Sequence, residues 1–556
     1  MNRFKTGLLL FAALLFSVYT KAQSLEEGRK FMYYERYKSA KSVLEKVVAA
    51  NPNNIDAVYW LGQAMIAPDE NKDIAGAKAL YQKTLMANSN SPLLLVGMGH
   101  IELLEGKAAD AKNRFETAIS LSQGKNAAVL SAIGLANVAS KDGDLNYAVD
   151  KLKLATGIKK MNDPEVYINL GDAYKKLGEG GPAQSAYENA LTLVPNYARA
   201  SYKIGKIYQT QGIQQQEIYM RYFNEAIAKD PAYAPVYQNL YELLYTTNVG
   251  ESARNLELYL ANADDDPKNC YYQASMKYAQ GLFDETITKA NQCLAAPDAY
   301  VKLHGLIAYA YNRKGDSLNA KKFFETYFQK ASPDVIGAGD YSTYASVLLK
   351  FPGSDSIAGL NVDKAIALDS VEANKLNYAK TMTAYYDAQK KYKQLADWYK
   401  KVIGFKKDVR KTDLYNAGYN YFRAGEYQSS IDVFSTYSQK FADDPFGYYM
   451  SGKSKWAIDS TLDQGLANSD FEKAIEVGLK DSVKYKAQLI GSYKYFIVYS
   501  VTKKDKAAAL AYCDKVLSLD PNDAETIGNK TTIAAMNFNA PANRPRTQGV
   551  KANGTR

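Results

Sequence analysis

The chain has 556 residues, 47% of them hydrophobic, with 46 Tyr, 19 Phe and 3 Trp but only 16 Pro. That length exceeds one compact core, so several domains or an elongated repeat is expected. The formal charge of +10 falls to +7 without Arg3, Lys5 and Lys21, and to +3 without Arg544, Arg546, Lys551 and Arg556 at the acid-free end. A body so near neutrality excludes an electrostatically driven nucleic-acid binder.

Residues 1–22 read as a signal peptide, with basic Arg3 and Lys5, an apolar run over 8–18, and a cleavage pattern Thr20-Lys21-Ala22. The run is shorter than the ~20 residues of a spanning helix. No later segment is apolar enough to cross a membrane. No cysteine precedes Cys270, which excludes a lipoprotein anchor. The expected location is the periplasm of a Gram-negative envelope, with peripheral envelope association as an option. The Ala-Gln-Ser ending resembles exported proteins of the Bacteroidota.

Units of similar build then follow one another. Residues 21–54 place Gly28, Phe31, Tyr37, Ala40, Leu44 and Pro52 at matching positions, and 55–91 place Leu61, Gly62, Ala77 and Tyr81 around an insertion at 68–73. The third unit, 92–125, carries Gly99, Gly106, Ala111, Phe115 and Ala118, and the fourth, 127–163, Gly134, Gly143, Ala148 and Ala155. The fifth, 164–197, is clearest. Tyr167, Leu170, Gly171 and Tyr174 share one helical face. Gly178, Gly180 and Gly181 break it, Ala183, Tyr187 and Ala190 form a second face, and Pro195 closes the unit. Two such faces make a helical hairpin in which small residues let the backbones approach.

This hairpin resembles the tetratricopeptide repeat, a helix–turn–helix unit with the pattern W-x2-L-G-x2-Y…A-x3-F…P. The resemblance covers nearly all of residues 24–525. It implies an all-α, right-handed α-solenoid of about fourteen hairpins. In this family the first helix of each hairpin lines a concave groove that binds a protein or peptide. The expected organisation is a signal peptide at 1–22, an N-terminal array at 23–266, a more degenerate array at 267–525, and an extension at 526–556. The basic end of that extension, from about residue 540, has a disordered composition.

The later units vary. The sixth, 198–233, holds Gly205, Tyr208, Phe223 and Ala226, and the seventh ends in the polar break Asp264-Asp265-Asp266-Pro267. The eighth, 268–298, is short, the tenth and eleventh are faint, and the twelfth, 411–444, recovers through Gly418, Tyr421, Gly425 and Phe434. A softer joint is expected near 264–268 or 332–351.

Few residues point to chemistry. Gly447 to Ser454 spell the phosphate-loop string, but that loop needs a preceding strand and free amides. Here an Asp443-Asp444-Pro445 turn precedes it and Gly452 takes a helix-packing position. Of the two histidines, His304 falls at a core position and His100 on the groove side, with no second His or Cys at metal-ligand spacing. No nucleophile elbow or triad pattern occurs. No metal or cofactor is called for, and the expectation is a protein that is not an enzyme.

The groove-facing helices say more. Asn169, Arg199 and Lys203 resemble half of the carboxylate clamp of chaperone-binding repeats, while the other half falls on Ser131 and Leu135. Arg199, Lys203 and Lys206 recur on one face near Lys175 and Lys176, a strip able to hold carboxylates by charge-assisted hydrogen bonds. The alternative is an ordinary solvated face. Tyr202, Tyr245, Tyr415, Tyr419 and Phe422 map to groove positions, where amphipathic rings suit protein recognition. Cys270 opens one helix of the eighth hairpin and Cys293 ends the other, so export permits a bridge between them. Four strings, Asp316-Ser317-Leu318, Asp355-Ser356-Ile357, Asp369-Ser370-Val371 and Asp481-Ser482-Val483, resemble Bacteroidota O-glycosylation sites.

The expected function is a non-enzymatic scaffold of the cell envelope that binds a protein or peptide in its concave groove. One alternative is a structural subunit of an envelope assembly, secretion or motility machine. The other is an enzyme with its site in a degenerate unit.

Overall fold

The computed structural model describes residues 25–68 and 72–538. The signal pattern at 1–22 and the tail from residue 540 lie outside them. The described residues are helical throughout, without strands, and the chain divides into two compact units between Ala310 and Tyr311.

The first unit is an α-solenoid of eight successive hairpins followed by the helix Lys302–Arg313. Its build follows from the local sequence. Asn54, Asp73, Asn126 and Asp144 each stand before a helix and accept a hydrogen bond from its first turn, which satisfies amides the helix cannot satisfy itself. Gly178 ends the first helix of the fifth hairpin at φ +82°, a conformation strained for any residue with a Cβ. The second helix then folds back. At its centre the Tyr187 ring presses onto Gly171, where an added Cβ would lie 2.2 Å from the ring. The same close approach joins Gly62 to Tyr81 and Gly99 to Phe115. Tyr81, Phe115, Tyr187 and Phe223 are almost fully buried, each contributing roughly 1.5–3 kcal/mol of transfer free energy.

First helices also pack on their neighbours. In Pro92–Leu104 every residue from Leu94 to Leu103 is buried, so an inner layer seals the solenoid at these hairpins. Apolar surface on all sides explains why this helix lacks an amphipathic stripe.

The second unit opens with the helix Ser317–Lys330, continues through five hairpins, and ends on a lone helix, Ala524–Ala535. The faint tenth and eleventh units are regular hairpins built around Ala358, Val362, Met382 and Trp398. Their glycine is replaced by other means: Ala345, Ala358 and Ala379 supply the small positions. The final helix was expected only as an extension. Its Ile533 is buried in the cluster of Leu489, Tyr493 and Val516, so this helix covers the apolar face of the hairpin before it.

Candidate partner-binding surfaces

In the first unit, Arg199, Lys203 and Lys206 do share one face of the helix Ala198–Thr210, but their charges are engaged within the chain. Arg199 Nη1 donates to Glu165 Oε1 at 2.8 Å, and Nη2 donates to the carbonyls of Met32 and Tyr33. Its guanidinium lies over the Tyr33 ring at 5.1 Å, and the side chain is only 13% exposed. Lys203 Nζ binds the Asp172 carboxylate at 2.8 Å, and Lys206 Nζ donates to Asn239 Oδ1 at 2.6 Å. Burial, and then the Lys175 charge, lowers the Lys206 pKa. Lys176 Nζ donates to the Val138 carbonyl, and Asn169 Nδ2 to Ser131 Oγ at 3.1 Å. Tyr202 packs between Phe223 and Tyr233 with ring centroids 5.8 and 5.7 Å away. Lys175 is half-buried, its pKa lowered by burial and then by Lys203. Its ammonium group has no hydrogen-bond or ion-pair partner among the described residues. Apart from Lys175, the strip is therefore engaged in links between hairpins, not a row of free donors.

What covers it is the first hairpin. Arg29 Nη2 pairs with Asp163 at 3.1 Å. The Tyr33 ring sits 5.1 Å from Tyr197 and 5.3 Å from Tyr233. Arg36 Nε donates to Asp264 Oδ1 at 3.2 Å, and the backbone amides of Lys38 and Ser39 donate to Asp264 Oδ2 at 2.8 and 3.1 Å. Asp163, Tyr197, Tyr233 and Asp264 each precede the first helix of a successive hairpin. The first hairpin thus lies along a row of helix beginnings and closes the unit on itself. The stretch expected as a soft joint at Asp264 is instead fastened. A cleft of about 600 Å³ opens beside it, lined by Lys38, Asp264, Asp266, Asn269, Cys270 and Cys293.

The second unit presents a different surface. Tyr415 and Tyr419, one turn apart on the helix Lys411–Arg423, stack at 5.3 Å with their planes 12° apart, and Tyr415 remains 38% exposed. Phe422 follows on the same face. The Lys453 ammonium lies over Phe422 at 5.2 Å and over Tyr449 at 5.8 Å. Arg423 stacks on Tyr392 at 3.8 Å, donates to its hydroxyl at 2.7 Å, and reaches over Tyr419 at 5.9 Å. Neither cation forms an ion pair with a carboxylate among the described residues. The sequence reading found the three rings but not Arg423, Lys453, Tyr392 and Tyr449, which reach the patch from three successive hairpins.

Residues 164–197 match the family model of the tetratricopeptide repeat. The hairpin of residues 164–197 is a tetratricopeptide repeat unit. Solved structures similar to the chain include the C-terminal part of a repeat-containing protein from Cytophaga hutchinsonii, at 24% identity over 46% of this chain and 98% of that one, with a TM-score of 0.28. A repeat protein from Parabacteroides merdae matches at 18% identity over 52% of this chain and 97% of that one, TM-score 0.31. Yeast Tom70 matches at 13% identity over 76% and 99%, TM-score 0.36. A search of curated proteins finds no match.

The remaining candidates take their places within the repeats. The phosphate-loop string lies inside the helix Phe446–Ile458, where Gly452 packs on Phe471 and Ser454 Oγ donates to the Met450 carbonyl at 2.9 Å. His100, expected on the groove side, is 4% exposed and bonded through Nδ1 to Gln63 at 3.1 Å. The inner layer of first helices covers it, so it cannot reach a ligand in the groove. Cys270 and Cys293 are joined by a disulfide, with Cα atoms 5.9 Å apart. Leu318, Ile357, Val371 and Val483 of the four Asp-Ser-aliphatic strings are all exposed. Among the described residues no group of three or more His, Cys, Asp or Glu is placed to hold a metal ion, and no helix is long and apolar enough to cross a membrane.

Proposed function

We propose that this repeat protein is a non-enzymatic scaffold of the cell envelope, and that it binds a protein through the aromatic face of its second unit. The observation that carries the reading is the pair Arg423 and Lys453. Both cations lie against aromatic rings without a carboxylate to neutralise them. A cation over a ring keeps its charge available while its alkyl stem is covered. Such a surface suits a peptide with acidic and apolar side chains, the apolar ones against Tyr415 and Phe422 and the acidic ones on the two cations. The envelope location draws support from the basic–apolar–small pattern of residues 1–22 and from a disulfide, which persists in oxidising compartments.

The test is crosslinking capture from envelope fractions with wild type, Arg423→Glu/Lys453→Glu and Tyr415→Ala. A specific acidic partner retained by wild type and lost by both variants supports the reading. Equal capture by all three removes it. N-terminal sequencing of the purified protein tests the location: a start at Gln23 supports export, and an intact Met1 in the cytosolic fraction refutes it.

A further inference from the structure

The first hairpin makes contacts that a terminal repeat does not need. Its own core is complete without them: Leu44 packs on Gly28, and Ala40 and Leu44 join Leu61 and Ala64 of the second hairpin. Its opposite side carries a basic and aromatic strip, and that strip faces a row of acidic and aromatic residues from hairpins five to eight. Arg29 meets Asp163, Arg36 meets Asp264, and Tyr33 enters the gap between Tyr197 and Tyr233. The Asp230 carboxylate stands near Tyr34, whose hydroxyl burial and that charge raise to a pKa of about 12.

The centre of the contact has the character of peptide recognition. Arg199 holds two consecutive backbone carbonyls, those of Met32 and Tyr33, at the end of the helix over residues 25–33. The guanidinium also stacks on the ring between them and is fixed from behind by Glu165. Carbonyls at a helix C-terminus lie beyond the helix's own donors: that of Met32 accepts the Glu35 amide as well as Arg199, and that of Tyr33 is held by Arg199. Of the outer contacts, Arg29–Asp163 is an exposed pair, weak and screened by salt, whereas the Asp264 carboxylate that meets Arg36 is largely buried.

We propose that the row of helix beginnings around Arg199 is a binding site for a basic, tyrosine-bearing helix end, and that the first hairpin is its intramolecular occupant. The seam between that hairpin and the row opens while the hairpin stays packed on the second. Opening frees the site for a helix of the same chemistry supplied in trans. Closure is favoured because the occupant is tethered, with an effective concentration on the order of millimolar. A competing helix therefore gains access when the cis contacts are weakened. This site is separate from the aromatic face of the second unit and does not depend on it.

The experiment uses the full chain and, as probe, a fluorescent synthetic peptide of residues 25–50. Three proteins are compared: wild type, Tyr33→Ala/Tyr34→Ala, and the same double variant carrying Arg199→Gln. Hydrogen exchange over residues 25–50 is followed in wild type and Asp264→Asn. The proposal expects at least tenfold tighter peptide binding by the double variant than by wild type, and loss of that gain with Arg199→Gln. It also expects exchange at the Lys38 and Ser39 amides, which bond Asp264 across the seam, to quicken severalfold in Asp264→Asn, with residues 92–121 unchanged. Peptide binding that is absent from the double variant, or indifferent to Arg199, overturns it. So does exchange that quickens over 25–50 and 92–121 together, which would make the seam part of one cooperative core. Asp264→Asn keeps the shape of the side chain, so the exchange arm stands even where the tyrosine variant folds poorly.

Discussion

Asp264 caps a helix that begins 227 residues before it: its carboxylate accepts the amides of Lys38 and Ser39 in the first turn of Tyr37–Ala50, with Lys38 Nζ reaching on to the Asp265 carbonyl. That helix has no cap of its own, because Arg36 stands at the capping position and offers no acceptor. Loss of a capping side chain costs about 1 kcal/mol. Asp264→Ala is therefore expected to lower the opening free energy of residues 37–50 by about that amount or somewhat more, since Arg36 also loses its partner. Asp163→Ala removes an exposed pair with Arg29 and the bond its carboxylate accepts from the Glu165 amide, so it should cost up to about 1 kcal/mol at the start of Glu165–Lys176 and leave residues 37–50 nearly unchanged. Native-state hydrogen exchange compares the two directly.

The hairpin core makes a sharper prediction. An alanine at Gly171 would place its Cβ 2.2 Å from the Tyr187 ring, which is fully buried and hydrogen-bonded to Asp172 at 2.6 Å. The ring cannot retreat, so overpacking of about 1–3 kcal/mol outweighs the helix-propensity gain of about 1 kcal/mol. At Gly528, inside the last helix, nothing lies within 4 Å of an added Cβ, and Gly528→Ala should stabilise its helix by up to about 1 kcal/mol. Local exchange rates of the two helices are expected to move in opposite directions.

These two cases also separate what the sequence could tell from what it could not. Gly171 and Tyr187 lie within one hairpin, and the same pairing returns at Gly62 with Tyr81 and Gly99 with Phe115. Repetition makes such contacts legible, because each unit restates the rule. The links Glu165–Arg199 and Asp172–Lys203 join neighbouring first helices at separations of 34 and 31 residues. An acid one repeat behind each cation was the signal that those charges were taken. The seam from Tyr33 and Arg36 to Arg199 and Asp264 follows no period, since it depends on how far the first unit curves over several hairpins. Small rotations between units accumulate there, and no single unit encodes their sum. The aromatic face of the second unit was half legible for a related reason: Tyr415, Tyr419 and Phe422 share one helix, whereas Arg423 and Lys453 acquire their role only through rings on adjacent hairpins.

The eighth hairpin is the shortest on sequence and has little apolar burial, with Ala274, Met276 and Ala290 as its main buried side chains. The bond between Cys270 and Cys293 closes a loop with a sequence separation of 23. Cross-linking a loop of that size stabilises by about 3 kcal/mol. Cys270→Ser/Cys293→Ser should therefore make 267–293 the first segment cut in limited proteolysis, with hairpins five and six intact. Cys513 is buried and its thiol pKa is raised by that burial, so it should resist alkylation in the native protein. Mass spectrometry after denaturation should count one alkylated cysteine without reductant and three with it.

His100 sets an acid limit on the first unit. Tyr81 donates to the Tyr59 carbonyl at 2.8 Å, Gln63 Nε2 donates to the Tyr81 hydroxyl at 3.1 Å, and Gln63 Oε1 is left to accept from His100 Nδ1. That chain assigns the proton to Nδ1 and leaves Nε2 buried without a partner. Burial, and then the Lys72 charge, lowers the imidazole pKa from 6.5 to about 4. The unfolded chain binds a proton below pH ~6.5 that the folded chain refuses, so stability is unaffected at neutral pH and falls as the pH drops from about 6.5 toward 4. Near pH 4.5 the loss from this one group is on the order of 2–3 kcal/mol. His100→Gln keeps an amide donor for Gln63 but cannot take up a proton, so its helix should show a flatter pH dependence. The measurement is the opening free energy of Pro92–Leu104 by hydrogen exchange at pH 7 and 4.5. An equal drop in wild type and variant would rule out His100 as the source of the acid sensitivity.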